Sequence, residues 1–153
     1  MSNSTIAAAS VVNETQFRNG VMPRAQLSLA ACEIAVKKTK NPEILQFAEW
    51  ELMEATTVIQ VLKDLDTAAP AIGADAKGFL EKLEGMTESE FNAGYIQAEL
   101  SNHEFLRDLA KEYIDGFEER SPSDEQEIWH VANLAHFAFT EHVGLCKRLK
   151  GLL

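Results

Sequence analysis

Residues 41–66 read NPEILQFAEWELMEATTVIQVLKDLD, and this stretch decides the fold. Asn41 followed by Pro42 is a helix start: asparagine accepts from the free N–H groups of the first turn, and proline there gives up an N–H that has no partner anyway. Beyond it Ile44, Phe47, Glu51, Glu54, Val58, Val61 and Leu65 recur at spacings of three and four, the period of one helix face. The spacing predicts a helix over 42–66 whose apolar stripe is interrupted by two glutamates one turn apart. A carboxylate on such a stripe needs a partner, because burying it alone costs several kcal/mol.

Upstream, Phe17, Gly20, Leu27, Ala31 and Ile34 continue the helical period and predict a first helix over about 14–38. Pro23 falls inside it and cannot donate to the carbonyl at position 19, so either a kink or a start at Pro23 is expected. Downstream, residues 67–86 contain Pro70, Gly73, Gly78 and Gly85 and read as a long connection, with about two helical turns at Phe79, Leu80 and Leu83. Thr87 with Glu90 forms a capping box, followed by Phe91, Tyr95, Ala98, Phe105, Leu109 and Tyr113, a helix over about 88–117. Ser121-Pro122 repeats the cap-plus-proline signal, and Ile128, Val131, Ala135, Phe139, His142, Leu145 and Leu149 carry a last helix to the end. The aromatics Phe47, Phe91, Phe105 and Phe139 stand at core spacing, and Trp50 lies off the seam at an edge.

Four long amphipathic helices, short turns near 40 and 120 and one longer connection predict an all-α, antiparallel up-down-up-down four-helix bundle over 14–153, after a flexible N-terminal segment at 1–13. The composition agrees: 153 residues, 46% apolar and 25% charged, suit one core. A formal net charge of -10 opposes binding to a phosphate backbone or an anionic bilayer, so neither nucleic acid nor membrane is an expected partner. Cys32 and Cys146 are far apart inside helical patterns and read as small core residues. The opening MSNSTIAAASVVNETQ has neither a basic region nor a long apolar run, so the expected location is the cytoplasm, or the envelope if a leader has been removed.

Polar groups on the seams are the candidate functional residues. Besides Glu51 and Glu54, the third long helix places Glu99 and His103 on the stripe with Ile96, Leu106 and Ala110, and the last carries His142 on its stripe and His136 on its flank. Counted from the turns near 40 and 120, Glu54, His103 and His136 lie at depths of about 14, 17 and 16 residues, with Glu99 and His142 on a second level roughly 7 Å away. Two readings remain open. In one, Glu54, His103 and His136 bind iron or manganese, Glu51 and Glu99 assist, and His142 belongs to the neighbouring level. In the other, Glu54 with His103 and Glu99 with His142 form paired polar layers that fix helix register. The one Glu-x-x-His pair, Glu127 with His130, lies at the start of the last helix, so the full ligand set of a two-ion bundle is absent. Neither a catalytic constellation nor a glycine-rich phosphate loop is evident.

Asn41-Pro42 followed by Phe47-Ala48, Phe91-Asn92 with Tyr95 and His103, and Glu141-His142 resemble the ferritin-like bacterial family catalogued as domain of unknown function 4142, over about 17–149. The resemblance implies a bundle fold, a possible metal site and an envelope or secreted setting. It also implies an acidic residue early in the first helix and an Asp-His pair in the second. This chain has Ser28 or Ala30 and Glu54-Ala55 at those places, so one ligand histidine of the resembled pattern is absent. Two functions are therefore expected as alternatives: a non-catalytic interaction or stress-related bundle, acting on a protein partner or as a homodimer through an apolar helix face, and a metal-binding bundle with oxidase or storage-like chemistry.

Overall fold

The computed structural model describes residues 12–117 and 123–153, so the Ser121-Pro122 start signal and most of the 1–13 segment lie outside the described residues. The described residues are all-helical, without a strand: α1 (Glu14–Lys38), α2 (Pro42–Asp64), α3 (Ala74–Gly85), α4 (Glu88–Gly116) and α5 (Ser123–Lys150). Two of the expected caps are present. Asn41 Oδ1 accepts from the N–H groups of Glu43 and Ile44, and Thr87 with Glu90 closes a capping box.

α1 starts at Glu14 behind a capping box of Asn13 and Gln16 and runs through Pro23, which excludes a start at the proline. Asn19 and Pro23 are both exposed, so water can serve the carbonyl that the proline leaves without a donor. The count of long helices holds, but five helices replace the expected four. The connection contains α3, whose Leu83 is fully buried in one core cluster with Phe91, Tyr95 and Ile96 of α4.

The chain direction also differs from the alternating order. At one end the N–H of Lys40 donates to Glu88 Oε1 at 2.8 Å and Lys38 Nζ donates to the carbonyl of Glu84, so the start of α4 lies beside the α1–α2 turn. At the other end Arg18 donates to the carbonyl of Leu65 at 2.6 Å, and Phe17 stacks on Tyr113 at 5.0 Å. Lys150 reaches Gln97 and Trp129 packs on Phe117, which sets α5 antiparallel to α4. Hence α1 and α5 run one way and α2 and α4 the other. The connection after α2 returns along the molecule, with α3 beside α1 and α4, before α4 begins. The last residues of α1 and of α4 therefore lie at opposite ends, whereas the alternating order assumes one end for both.

α1 packs on α2 and on α4, and α4 on α5. Their apolar faces form two clusters. One, around Phe47, Phe91, Tyr95, Leu83 and Cys146, fills the end nearest the α1–α2 turn; the other, around Phe17, Met22, Leu106, Tyr113 and Ile128, fills the opposite end. Ser28, Glu51, Glu99 and His103, all buried, lie between them. Phe47, Phe91 and Phe139 are buried as expected. Phe105 is not: it is 42% exposed, and the Arg24 guanidinium covers its ring at 4.1 Å. No helix among the described residues is long and apolar enough to cross a membrane.

Because Leu83 is fully buried, α3 is part of the core rather than a surface loop. Leu83→Ala should cost about 2–5 kcal/mol in urea denaturation, the usual range for emptying such a site. A loss under about 1 kcal/mol would mean that α3 does not contribute to the core.

Candidate metal centre

The seam positions put three helices into one polar group. Glu51 of α2, His103 of α4 and His142 of α5 each offer a ligand atom, and these atoms lie within 4.8 Å of one another. Glu51 and His103 are each 2% exposed, and the His142 side chain is 13% exposed. Glu51 Oε2 lies 3.2 Å from His103 Nε2, and Glu51 Oε1 lies 2.5 Å from His142 Nδ1 without a ring N–H aligned on it. His142 Nδ1 and His103 Nε2 are 3.4 Å apart, with their rings nearly perpendicular.

Backbone geometry settles which nitrogen of His103 faces inward. Its Nδ1 lies 2.8 Å from the carbonyl oxygen of Glu99, one turn back on the same helix. A carbonyl only accepts, so Nδ1 carries the proton and Nε2 is left toward Glu51 and His142. Two further groups hold this arrangement. Glu99 Oε2 lies 3.7 Å from the same Nδ1 and accepts a hydrogen bond from Ser28 Oγ at 3.0 Å. Tyr95 and Cys32 meet at 3.2 Å beside them. Glu54 stands one turn along α2, with Oε2 3.5 Å from His142 Nε2 and its side chain 26% exposed.

The electrostatics are those of a carboxylate wedged between imidazoles. Burial favours the neutral form of Glu51, but hydrogen bonding to His103 and the positive charge of His103 and His142 outweigh it and lower its pKa to about 2. Burial likewise opposes a charged His103, yet Cys146, Glu51 and Glu99 together raise its pKa well above the usual imidazole range. His142 is raised against burial by Glu51 and Glu54. Glu99 moves the other way from Glu51: burial, then the Glu51 charge, push it up to about 7. Burial raises the thiols of Cys32 and Cys146, so neither is a ready thiolate.

A small cleft with room for about one water molecule adjoins the group, walled by Ser28, Glu51, Glu54, Asn102 and His103. Asn102 Oδ1 is buried there without a hydrogen-bond partner, as is Glu51 Oε1. Four of the six residues singled out by the seam pattern, Glu51, Glu54, His103 and His142, thus form one group, with Glu99 on the outer side of His103. His136 is not part of it. It lies six residues from His142, about 240° around α5, so the two histidines point to different faces. The two expected levels are one layer, and His142 sits on His103 rather than on a neighbouring level. The equal-depth pairing with His136 followed from placing both short turns at one end. Glu127 and His130, exposed near the start of α5, are outside the group as well. Ser28, the partner of Glu99, is marked in the sequence only where the resembled pattern carries an acid.

The opposite shifts of Glu51 and Glu99 give a pH test on metal-free protein. Glu99 binds its proton more tightly folded than unfolded, so its contribution to stability is present below the ordinary carboxylate value near 4.5 and is lost as pH rises toward 7. Glu99→Gln keeps the shape without the charge. Its stability relative to the parent should therefore increase between pH 4.5 and 7, measured by urea midpoints; a pH-independent difference would refute the assignment.

No curated protein and no solved structure matches this chain. One family does, and its pattern covers nearly the whole sequence, including every residue of the Glu-His-His group. Residues 1–145 match Domain of unknown function (DUF4142), and the chain belongs to that family.

Proposed function

We propose that this chain is a ferritin-like four-helix bundle, with α3 added on its crossover, that binds a single divalent iron or manganese ion between Glu51, His103 and His142. The bundle reading is supported by four long helices and by one long connection between helices of the same direction, as ferritin-like folds have. For the ion, the observation that carries the proposal is the orientation of His103. With Nδ1 bonded to a carbonyl, its Nε2 lone pair and the Glu51 carboxylate face each other at 3.2 Å, which is repulsive unless a cation lies between them. Either a proton on Nε2 or a metal ion meets that need. The approach of His142 Nδ1 to the same place favours the metal, because two imidazolium N–H groups there would repel each other.

Two histidines and one carboxylate are a donor set for iron, manganese or zinc that leaves positions open. Glu54 can fill one of these and the cleft another. The backbone carbonyl of Glu99 fixes the His103 tautomer, and Ser28 holds the Glu99 side chain, the kind of outer support that metal histidines use. The other reading, action through the surface, is favoured by the exposed Trp50, Met53, Leu134 and Phe137.

Metal uptake separates the two. Protein stripped with chelator and dialysed against Mn(II) or Fe(II) should take up about one equivalent and melt at a higher temperature. Glu51→Gln and His142→Ala should each weaken uptake by more than the roughly 10–100-fold that outer partners are worth, while His136→Ala leaves it unchanged. Uptake by neither ion, with no rise in melting temperature, would refute the metal reading.

Protons compete for the same atoms. The raised folded-state values of His103 and His142 mean that metal must displace protons across neutral pH, so affinity should fall steadily as pH is lowered through that range. Titration calorimetry in buffers of different ionisation enthalpy would count the released protons; an affinity independent of pH would contradict the assignment of the two ring nitrogens as ligands.

A further inference from the structure

Asn102 has no part in the Glu-His-His group, yet it precedes His103 on α4 and is only 8% exposed. Its Oδ1 is buried without a hydrogen-bond partner, and an amide oxygen in that state is costly unless a donor reaches it. Asn102 walls the small cleft together with Ser28 of α1, Glu51 and Glu54 of α2 and His103; the rest of the wall is apolar. The polar side chains there have their hydrogens committed elsewhere or have none. Glu51 and Glu54 are carboxylates, Glu51 Oε1 is itself buried without a partner, and the Ser28 hydroxyl already donates to Glu99 Oε2. His103 directs its Nδ1 proton to the carbonyl of Glu99. Acceptors therefore surround a space with room for about one water molecule.

We propose that this cleft is a ligand subsite for a single water and that Asn102 is its positioning residue. Water brings two hydrogens in the smallest neutral form, one for Asn102 Oδ1 and one for the Glu51 carboxylate. With both hydrogens placed, its lone pairs remain, and they serve a cation held between Glu51, His103 and His142. The competing role is direct ligation of that cation by Asn102 Oδ1. His142 is not on the wall of the cleft, which sets the cleft to one side of the point where the three ligand atoms converge. It is thus a place for a ligand of the ion rather than for the ion. The class admitted is a neutral donor of one heavy atom. Fluoride, an anion of similar size, has no hydrogen for Asn102 and meets the carboxylate charge of Glu51 and Glu54. The water itself requires no ion; its service as a ligand rests on the metal reading.

Metal-free protein gives the first test. Magnetic relaxation dispersion of the solvent, which counts long-lived internal waters, should lose one water in Asn102→Leu and keep the parent's count in Asn102→Asp, which still accepts. Absence of any long-lived water in the parent would overturn the proposal without recourse to a variant, as would a count that Asn102→Leu leaves unchanged. With Mn(II) bound, Asn102→Leu should lose most of the solvent proton relaxation enhancement. Its uptake of the ion should weaken by no more than the roughly 10–100-fold that outer partners are worth. Excess fluoride should leave the enhancement of the parent unchanged. A larger loss of uptake with the water count unchanged would assign Asn102 to the ion itself and overturn the proposal, and so would displacement of the water by fluoride. The internal water without Mn(II) uptake supports the cleft and refutes the metal reading; Mn(II) uptake without the internal water does the reverse.

Discussion

A buried carboxylate between two imidazoles is the constraint on which the rest of this molecule depends. Glu51 is 2% exposed in the middle of α2, where an isolated charge would cost several kcal/mol. Its compensation comes from His103 and His142, which approach from α4 and α5, so three helices are tied to one register. Sliding any of them by one turn, about 5.4 Å, would separate the partners and leave a buried charge unanswered. The division of the core follows, since aliphatic side chains fill both ends and the polar groups occupy the level between them.

Most of the local structure was legible in the sequence, because it is specified locally. Asn41-Pro42 and Thr87 with Glu90 start their helices where their side chains satisfy free N–H groups, whatever lies around them. The stripe of α2 likewise marked Glu51 and Glu54 as interior groups needing partners. Which partners they find is a question of topology, and periodicity carries no information on chain direction. A connection of some twenty residues can cross at one end or return along the molecule. Lys38 and Lys40 meeting Glu84 and Glu88 shows the second, and with it the histidine that shares a level with Glu54 changes from His136 to His142. Angular position would have separated these two histidines without any fold, because six residues on one helix face different ways. Phe105 shows another limit: helical spacing marks a face, but the cation of Arg24 can cover an aromatic as well as a core can.

The two ends of α2 meet α5 differently. Near the polar layer the helices are joined by His142 against Glu51 and Glu54, and closer to the α1–α2 turn Arg148 pairs with Glu43. On the other side of the layer Val58 and Val61 of α2 and Val131, Ala135 and Ala138 of α5, beside the larger Leu134 and Phe139, line a groove that remains open. Small side chains there and long polar ones at the layer give the site one buried face and one approachable face.

Charge around the layer argues for one ion rather than two. Two-ion bundle centres draw carboxylates from all four helices along with two histidines. Here α1 contributes Ser28, which is neutral and donates to Glu99. Glu99 is thereby held on the Nδ1 side of His103, away from the Nε2 that faces Glu51, and serves the imidazole rather than an ion. Glu51, Glu54 and the two histidines remain. Their charge balances one divalent cation, and a second cation a few ångströms away would lack the carboxylates needed to offset the repulsion between the two. The neutral Ser28, at the place on α1 where a second ion would need a carboxylate, thus limits the proposed centre to one ion.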